Sequence, residues 1–174
     1  SAAGEMQIWY LPAGGGEAKR LTDAVEGVDL YRFSRDGRYI YYLTSRERSP
    51  AEKRLEEASE RDRTDFVVVE GERPAKELWR CDPATGKTER IWRGDAGIDD
   101  FDVSPSENRI VYRSNIDGDP DRWTEYDLYL LDIKNGTSRL LADLGNEEDQ
   151  PRFSADGKSV AFLAPQDSNY SFSQ

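Results

Sequence analysis

Short runs of β-branched and aromatic residues recur along the chain, each set off by glycine or a polar turn. The runs are rich in Val, Ile, Tyr, Trp and Phe, the residues that strands favour. The joins carry turn chemistry: Asp36-Gly37, Thr85-Gly86, Asn135-Gly136 and Asp156-Gly157. Asn-Gly and Asp-Gly supply the positive φ angles of tight antiparallel hairpins. The pattern therefore predicts antiparallel strands throughout, with one exception. Ser49-Pro50-Ala51-Glu52 has the capping-box form with proline at the first helical position, which predicts a helix from Pro50 to about Arg63. Phe66-Val67-Val68-Val69 then reads as a returning strand.

The runs repeat. Gln7-Ile8-Trp9-Tyr10-Leu11 aligns with Glu77-Leu78-Trp79-Arg80-Cys81 and with Asp127-Leu128-Tyr129-Leu130-Leu131, at offsets of 70 and then 50 residues. The same offsets carry Gly16 to Gly86 and Gly136, Phe33-Ser34 to Val103-Ser104 and Phe153-Ser154, and Ile40 to Ile110 and Val160. Each unit reads as four antiparallel strands, here A to D, represented by Asp29–Phe33, Tyr39–Leu43, Lys76–Cys81 and Thr88–Trp92. Four-stranded sheets repeated every 40–45 residues are the blades of a β-propeller. The expected fold class is thus all-β, a partial β-propeller of about 12 strands with one helical insertion. The expected organisation of residues 1–174 is a half-blade at 5–22 (C, D), a blade at 28–93 with an insertion at 45–75, a blade at 98–142, and a half-blade at 150–165 (A, B). That is the material of three blades, fewer than the four a ring needs. Half-blades at both ends expose unpaired strand edges, a drive to pair with another chain. The sequence reads either as a piece of a larger propeller or as a chain completed by a second copy.

Composition narrows the chemistry. There is no histidine and a single cysteine, Cys81, so Ser-His-Asp and Cys-His arrangements and Cys/His zinc sites are excluded. With 24 Lys+Arg against 35 Asp+Glu the net charge is −11, which argues against nucleic acid or an anionic membrane as a partner. No apolar run approaches the ~18 residues of a membrane span. No cofactor is expected, and no compartment is marked beyond a cytoplasmic default.

With these residues in place, a resemblance can be named. Phe153-Ser154-Ala155-Asp156-Gly157-Lys158 and Asp36-Gly37-Arg38 resemble the Ser-x-Asp-Gly-Lys hairpin of Tol-type propeller repeats. Glu77-Leu78-Trp79 through Thr85-Gly86-Lys87, with Asp127-Leu128-Tyr129-Leu130-Leu131-Asp132 and Ser159–Pro165, resemble the propeller domain of the prolyl oligopeptidase family, including its acylaminoacyl-peptidase and dipeptidyl-peptidase branches. The middle unit departs from that pattern, since Ser104-Pro105-Ser106-Glu107-Asn108-Arg109 lacks Asp-Gly. The resemblance implies a non-catalytic propeller that caps a separate hydrolase domain and filters peptide substrates. Its partners would be that hydrolase domain and the remaining blades. No Gly-x-Ser-x-Gly elbow occurs here, so no residue inherits a catalytic role. The alternative is a Tol-type scaffold for protein–protein interaction with no linked peptidase. A carboxylate-based glycosidase, also a propeller class, needs a Ser-x-Asp-x-Gly box that Ser34-Arg35-Asp36-Gly37 does not meet.

In an A-B-C-D meander the D–A and B–C connections share one face. Gly94–Asp102 with Asp95, Asp99, Asp100 and Asp102, Ser114–Asp127 with Asp117, Asp119, Asp121, Glu125 and Asp127 against Arg122, and Ala142–Asp149 with Asp143, Glu147, Glu148 and Asp149 each read as loops of net charge −4. The expected acidic face therefore comprises Asp95, Asp99, Asp100, Asp117, Asp119, Asp121, Glu147, Glu148 and Asp149, suited to docking a partner domain or drawing in cationic substrates. Asp also simply favours turns. Asp117, Asp119 and Asp121 alternate like calcium ligands, but Arg122 stands where the EF-hand glycine belongs, and a turn with Gly118 and Pro120 explains the same spacing. Arg46–Arg63 holds 6 basic and 6 acidic side chains, a solvated helix or a gate. Within it Glu56-Glu57 invites comparison with the paired glutamates by which dipeptidyl-peptidase propellers hold a substrate amine, although the flanking residues differ.

Overall fold

A computed structural model describes residues 4–51, 53–54, 75–93, 97–115, 126–145 and 148–165. These form twelve strands: β1 (Trp9–Tyr10), β2 (Lys19–Arg20), β3 (Leu30–Phe33), β4 (Ile40–Ser45), β5 (Lys76–Cys81), β6 (Thr88–Arg93), β7 (Gly97–Val103), β8 (Arg109–Asn115), β9 (Asp127–Asp132), β10 (Thr137–Ala142), β11 (Asp149–Phe153) and β12 (Val160–Leu163). They pair as four antiparallel sheets of consecutive strands, β1-β2, β3-β4-β5-β6, β7-β8-β9-β10 and β11-β12. The architecture is a partial β-propeller, with two complete blades between two half-blades. Of the expected insertion helix, Pro50, Ala51, Lys53 and Arg54 are described and helical, and the Lys53 N–H reaches the Ser49 carbonyl at 3.0 Å. The remainder, and the strand expected at Phe66–Val69, lie outside the described residues.

The repeat offsets translate into identical pairing. Tyr42 faces Trp79 across β4 and β5, and Tyr112 faces Tyr129 across β8 and β9, each 70 or 50 residues from its counterpart. Both pairs stack, with ring centroids 6.5 Å and 5.5 Å apart. Such pairs add about 0.5–1.5 kcal/mol beyond the area they bury.

Strand B of each complete blade is covered on both faces, and alternation sorts its side chains. Along β4, Tyr41 and Leu43 join Leu78 in a cluster with Ile98, Phe101, Val103, Ile110, Tyr112 and Leu131 of the next blade. Ile40 and Tyr42 turn the other way, with Cys81, onto Ile8 of the first half-blade. The cores lie between sheets rather than within them.

The hairpin joining strands A and B has one geometry in three sequences. In each, the first serine's N–H bonds the carbonyl five residues on, as Ser34 to Tyr39 (2.8 Å), Ser104 to Arg109 (2.9 Å) and Ser154 to Ser159 (2.9 Å). Asp36 and Asp156 accept from the Ser34 and Ser154 hydroxyls and from the Arg38 and Lys158 N–H groups, which holds both carboxyls below the usual range. Gly37 and Gly157 take φ of 73° and 69°. The middle unit keeps this turn without the Asp-Gly pair. Asn108 accepts from the Ser104 and Ser106 hydroxyls, and Glu107 itself adopts φ of 54°. A non-glycine residue there costs about 1 kcal/mol. The carboxylate offsets this cost. The Tyr41 hydroxyl, carried on a fully buried side chain of the neighbouring blade, donates to Glu107 Oε2 at 2.8 Å. Burial and that carboxylate hold the Tyr41 phenol well above its ordinary pKa.

A double-mutant cycle checks this account. Glu107→Gly is expected to lose about 1 kcal/mol in the native background, where the buried hydroxyl loses its acceptor. In a Tyr41→Phe background the same change gains about 1 kcal/mol, because only the backbone relief remains. Urea midpoints at constant m-value give both numbers.

Candidate functional site

The described members of the predicted acidic face are Asp99, Asp100, Glu148 and Asp149; Asp95, Asp117, Asp119, Asp121 and Glu147 lie outside the described residues, as do Glu56 and Glu57. The expected Gly94–Asp102 loop is largely strand β7. Its register slips by one residue between Ile98 and Asp100, a bulge that inserts Asp99 between ladder positions and lets Ile98 and Phe101 both reach the core. Aspartates read as loop acids are thereby carried into the junctions between blades.

Asp100 lies at such a junction. Its Oδ1 accepts from Arg32 Nη2 at 2.9 Å and its Oδ2 from Arg152 Nη1 at 3.1 Å. Arg32 is on β3, Asp100 on β7 and Arg152 on β11, so one carboxylate ties the first strands of three successive sheets. Asp100 is 9% exposed, and the Phe101 N–H also donates to it at 2.7 Å. Next to it, Asp102 accepts the Phe153 N–H at 2.7 Å, another link from β7 to β11.

A second group forms around Arg113. This residue sits in the repeat column otherwise held by Leu43 and Leu163, yet it is 8% exposed. Its Nε donates to the Glu148 carbonyl at 2.8 Å and its Nη1 to Asp99 Oδ2 at 2.5 Å, while Asp149 Oδ1 stands 3.9 Å from Nε. The guanidinium lies 4.0 Å from the centre of the Tyr126 ring. Asp99, Glu148 and Asp149 are thus gathered about one buried cation. Sequence reasoning missed Arg113 and Arg152; the signal for the first was a charge in an apolar repeat column.

Glu148 is the exception. Its side chain is fully buried, Oε1 accepts the Leu144 N–H at 2.8 Å, and Oε2 has no hydrogen-bond partner among the described residues. Burial pushes its carboxyl above the usual range and nearby Asp127 and Asp143 push the same way, against the pull of the Leu144 N–H. Among the described residues no three Cys, Asp or Glu side chains form a metal-binding group.

On the opposite side, where the A–B and C–D hairpins emerge, a cleft of about 350 Å³ lies between the first half-blade and the first complete blade. Tyr10, Arg38, Tyr39, Asp82 and Pro83 line it. The Asp82 carboxylate is engaged by the Ala84 N–H and the Thr85 hydroxyl, which lower its pKa, and the Arg38 and Arg80 guanidinium groups flank the Tyr39 ring at 5.1 and 4.4 Å. Among the described residues that line it, no nucleophile stands beside a base.

No protein-family model matches the chain, and no curated protein does. Solved structures do. A TolB protein from Agrobacterium tumefaciens superposes with a TM-score of 0.64 at 18% identity over 94% of this chain and 47% of that one. An oligogalacturonate lyase from Vibrio parahaemolyticus gives 0.63 at 12% identity, covering 92% and 39%. A prolyl endopeptidase gives 0.52 at 14% identity, covering 93% and 23%. At these identities the likeness is one of fold, that of a β-propeller. The chain spans about half or less of the length of each of these structures.

Two substitutions probe the site. Asp100→Ala leaves Arg32 and Arg152 without their shared acceptor; breaking such a pair costs about 3–5 kcal/mol when fully buried, and their 27% and 40% exposure lets water recover part, so about 2 kcal/mol is expected from urea unfolding. Glu148→Gln acts oppositely. The folded carboxyl binds its proton more tightly than the unfolded one, so ionised Glu148 costs stability at neutral pH, and the cost fades as pH falls through the folded pKa toward the ordinary 4.5. The variant should match or exceed the native protein in stability at pH 7, and lose that advantage as the pH of the melts is lowered.

Proposed function

We propose that the chain is a non-catalytic propeller scaffold that offers its surfaces to other proteins. One observation carries this reading: among the described residues the convergent ionisable groups are engaged with one another, Asp100 with Arg32 and Arg152 of the two neighbouring sheets, and Arg113 with Asp99 of its own blade and Asp149 of β11. None stands as a nucleophile beside a base, and the chain has no histidine to serve as one. The superposition on TolB supports the scaffold role.

A finer reading makes the chain part of the cap of a prolyl-oligopeptidase-like serine peptidase. The Glu77–Lys87, Asp127–Asp132 and Ser159–Pro165 segments and the superposition on a prolyl endopeptidase support it. Its partner is then the hydrolase domain, which would meet the face bearing Asp99 and Asp149, both about two-fifths exposed despite their contacts with Arg113.

The purified chain is expected neither to react with a fluorophosphonate probe nor to hydrolyse peptides; hydrolysis that co-purifies with the chain would sink the scaffold reading. The finer reading requires the parental reading frame to continue into a Gly-x-Ser-x-Gly segment, and a frame that lacks one overturns it.

A further inference from the structure

The chain has five asparagines, and only Asn135 is followed by glycine. A backbone nitrogen that loses its proton can attack the side-chain carbonyl carbon of the asparagine before it. A glycine nitrogen has no side chain beside it to crowd that approach. Arginine, isoleucine, glutamate and tyrosine follow Asn108, Asn115, Asn146 and Asn169, and each obstructs the same attack.

Asn135 and Gly136 lie in the turn between β9 and β10, the third and fourth strands of a complete blade, and both are exposed. This setting is the same whichever blades precede or follow. Two bonds hold the turn. The Gly136 N–H donates to the Asp132 carbonyl at 2.9 Å, and the Asn135 N–H to Asp132 Oδ1 at 3.0 Å. The reacting nitrogen is therefore engaged in the fold, and solvent base reaches its proton only when the turn opens.

The other glycine turns lack the electrophile. In the matching turn of the first complete blade the Gly86 N–H donates to the Asp82 carbonyl at 2.7 Å, but Thr85 stands in the asparagine's place and offers no carbonyl to attack. At Asp36-Gly37 and Asp156-Gly157 the carbonyl belongs to a carboxylate that accepts from a serine hydroxyl and a backbone N–H. Its negative charge resists a nucleophile. The Asn135 amide is neutral at any physiological pH.

We infer that Asn135-Gly136 is a deamidation site whose rate is set by opening of the β9–β10 turn. The Gly136 nitrogen gives its proton to hydroxide and bonds to Asn135 Cγ. The Cγ–Nδ2 bond breaks, and the leaving nitrogen takes a proton from water and departs as ammonia. Water then opens the cyclic imide at either carbonyl, giving aspartate or isoaspartate. Either product adds one negative charge to the formal −11. Isoaspartate also lengthens the backbone by one carbon inside the turn that sets Thr137 opposite Asp132.

The purified chain, stored at mildly alkaline pH with and without guanidinium chloride, tests this by peptide mapping for the amide-to-acid mass gain and by isoaspartyl methyltransferase labelling. Asn135 is expected to convert before the other four asparagines. Conversion should be about fivefold slower in the folded chain than in denaturant, the protection that one hydrogen bond of ordinary net strength gives. Asp132→Ala removes the side-chain bond to Asn135 and should bring the folded rate toward the unfolded one, whereas Asn135→Gln should abolish the early product. Conversion that begins at another asparagine, no product at Asn135, or equal rates in the folded and unfolded chain overturns the inference. Where Asp132→Ala fails to fold, the comparison on the unaltered chain decides.

Discussion

The burial of β4 and β8 on both faces is the constraint from which the rest follows. A strand with one wet face needs a single neighbouring layer, whereas these carry apolar or aromatic residues to both sides and need two. Tyr41 and Leu43 look one way and Ile40 and Tyr42 the other, so each blade is stable only as the filling between two blades. Within-blade hydrogen bonds fix the shape of a sheet, and between-blade packing supplies most of the apolar burial that opposes chain entropy.

Once junctions are dry, any polar group placed in them must bring its own partners. Arg113 illustrates this at a position where the repeat otherwise puts leucine. It is retained by a carbonyl, a carboxylate and an aromatic ring supplied by other segments. Asp100 does the converse, an acid held by two arginines from other sheets. Glu107 accepts a left-handed backbone and receives the buried Tyr41 hydroxyl in exchange. These three polar groups give the neighbouring sheets a specific register that apolar packing alone leaves looser.

The repeat made the fold legible because the strand pattern and the turn chemistry agree in every unit. Offsets between Trp9, Trp79 and Tyr129 placed the C strands, and Ser-x-x-Gly hairpins placed the A–B turns even where Glu107 replaces glycine. The candidate site was legible only as composition. Counting acids placed Asp99 and Asp100 in a loop, because a lone strand rich in aspartate scores as a turn. Their place in β7 depends on a bulge and on arginines 14, 68 and 52 residues away, pairings that no local pattern encodes.

Those pairings change what the net charge means. The count of −11 suggested a face with a strong negative field. Of its four described carboxylates, Asp99, Asp100 and Asp149 lie beside Arg113, Arg32 and Arg152, and Glu148 is buried away from the surface. The local field there is far smaller than the sequence sum, since paired charges cancel at any distance beyond their separation. A partner docking on the described part of this face would meet a salt-bridged seam between blades, so its recognition rests on shape and directed hydrogen bonds more than on long-range attraction.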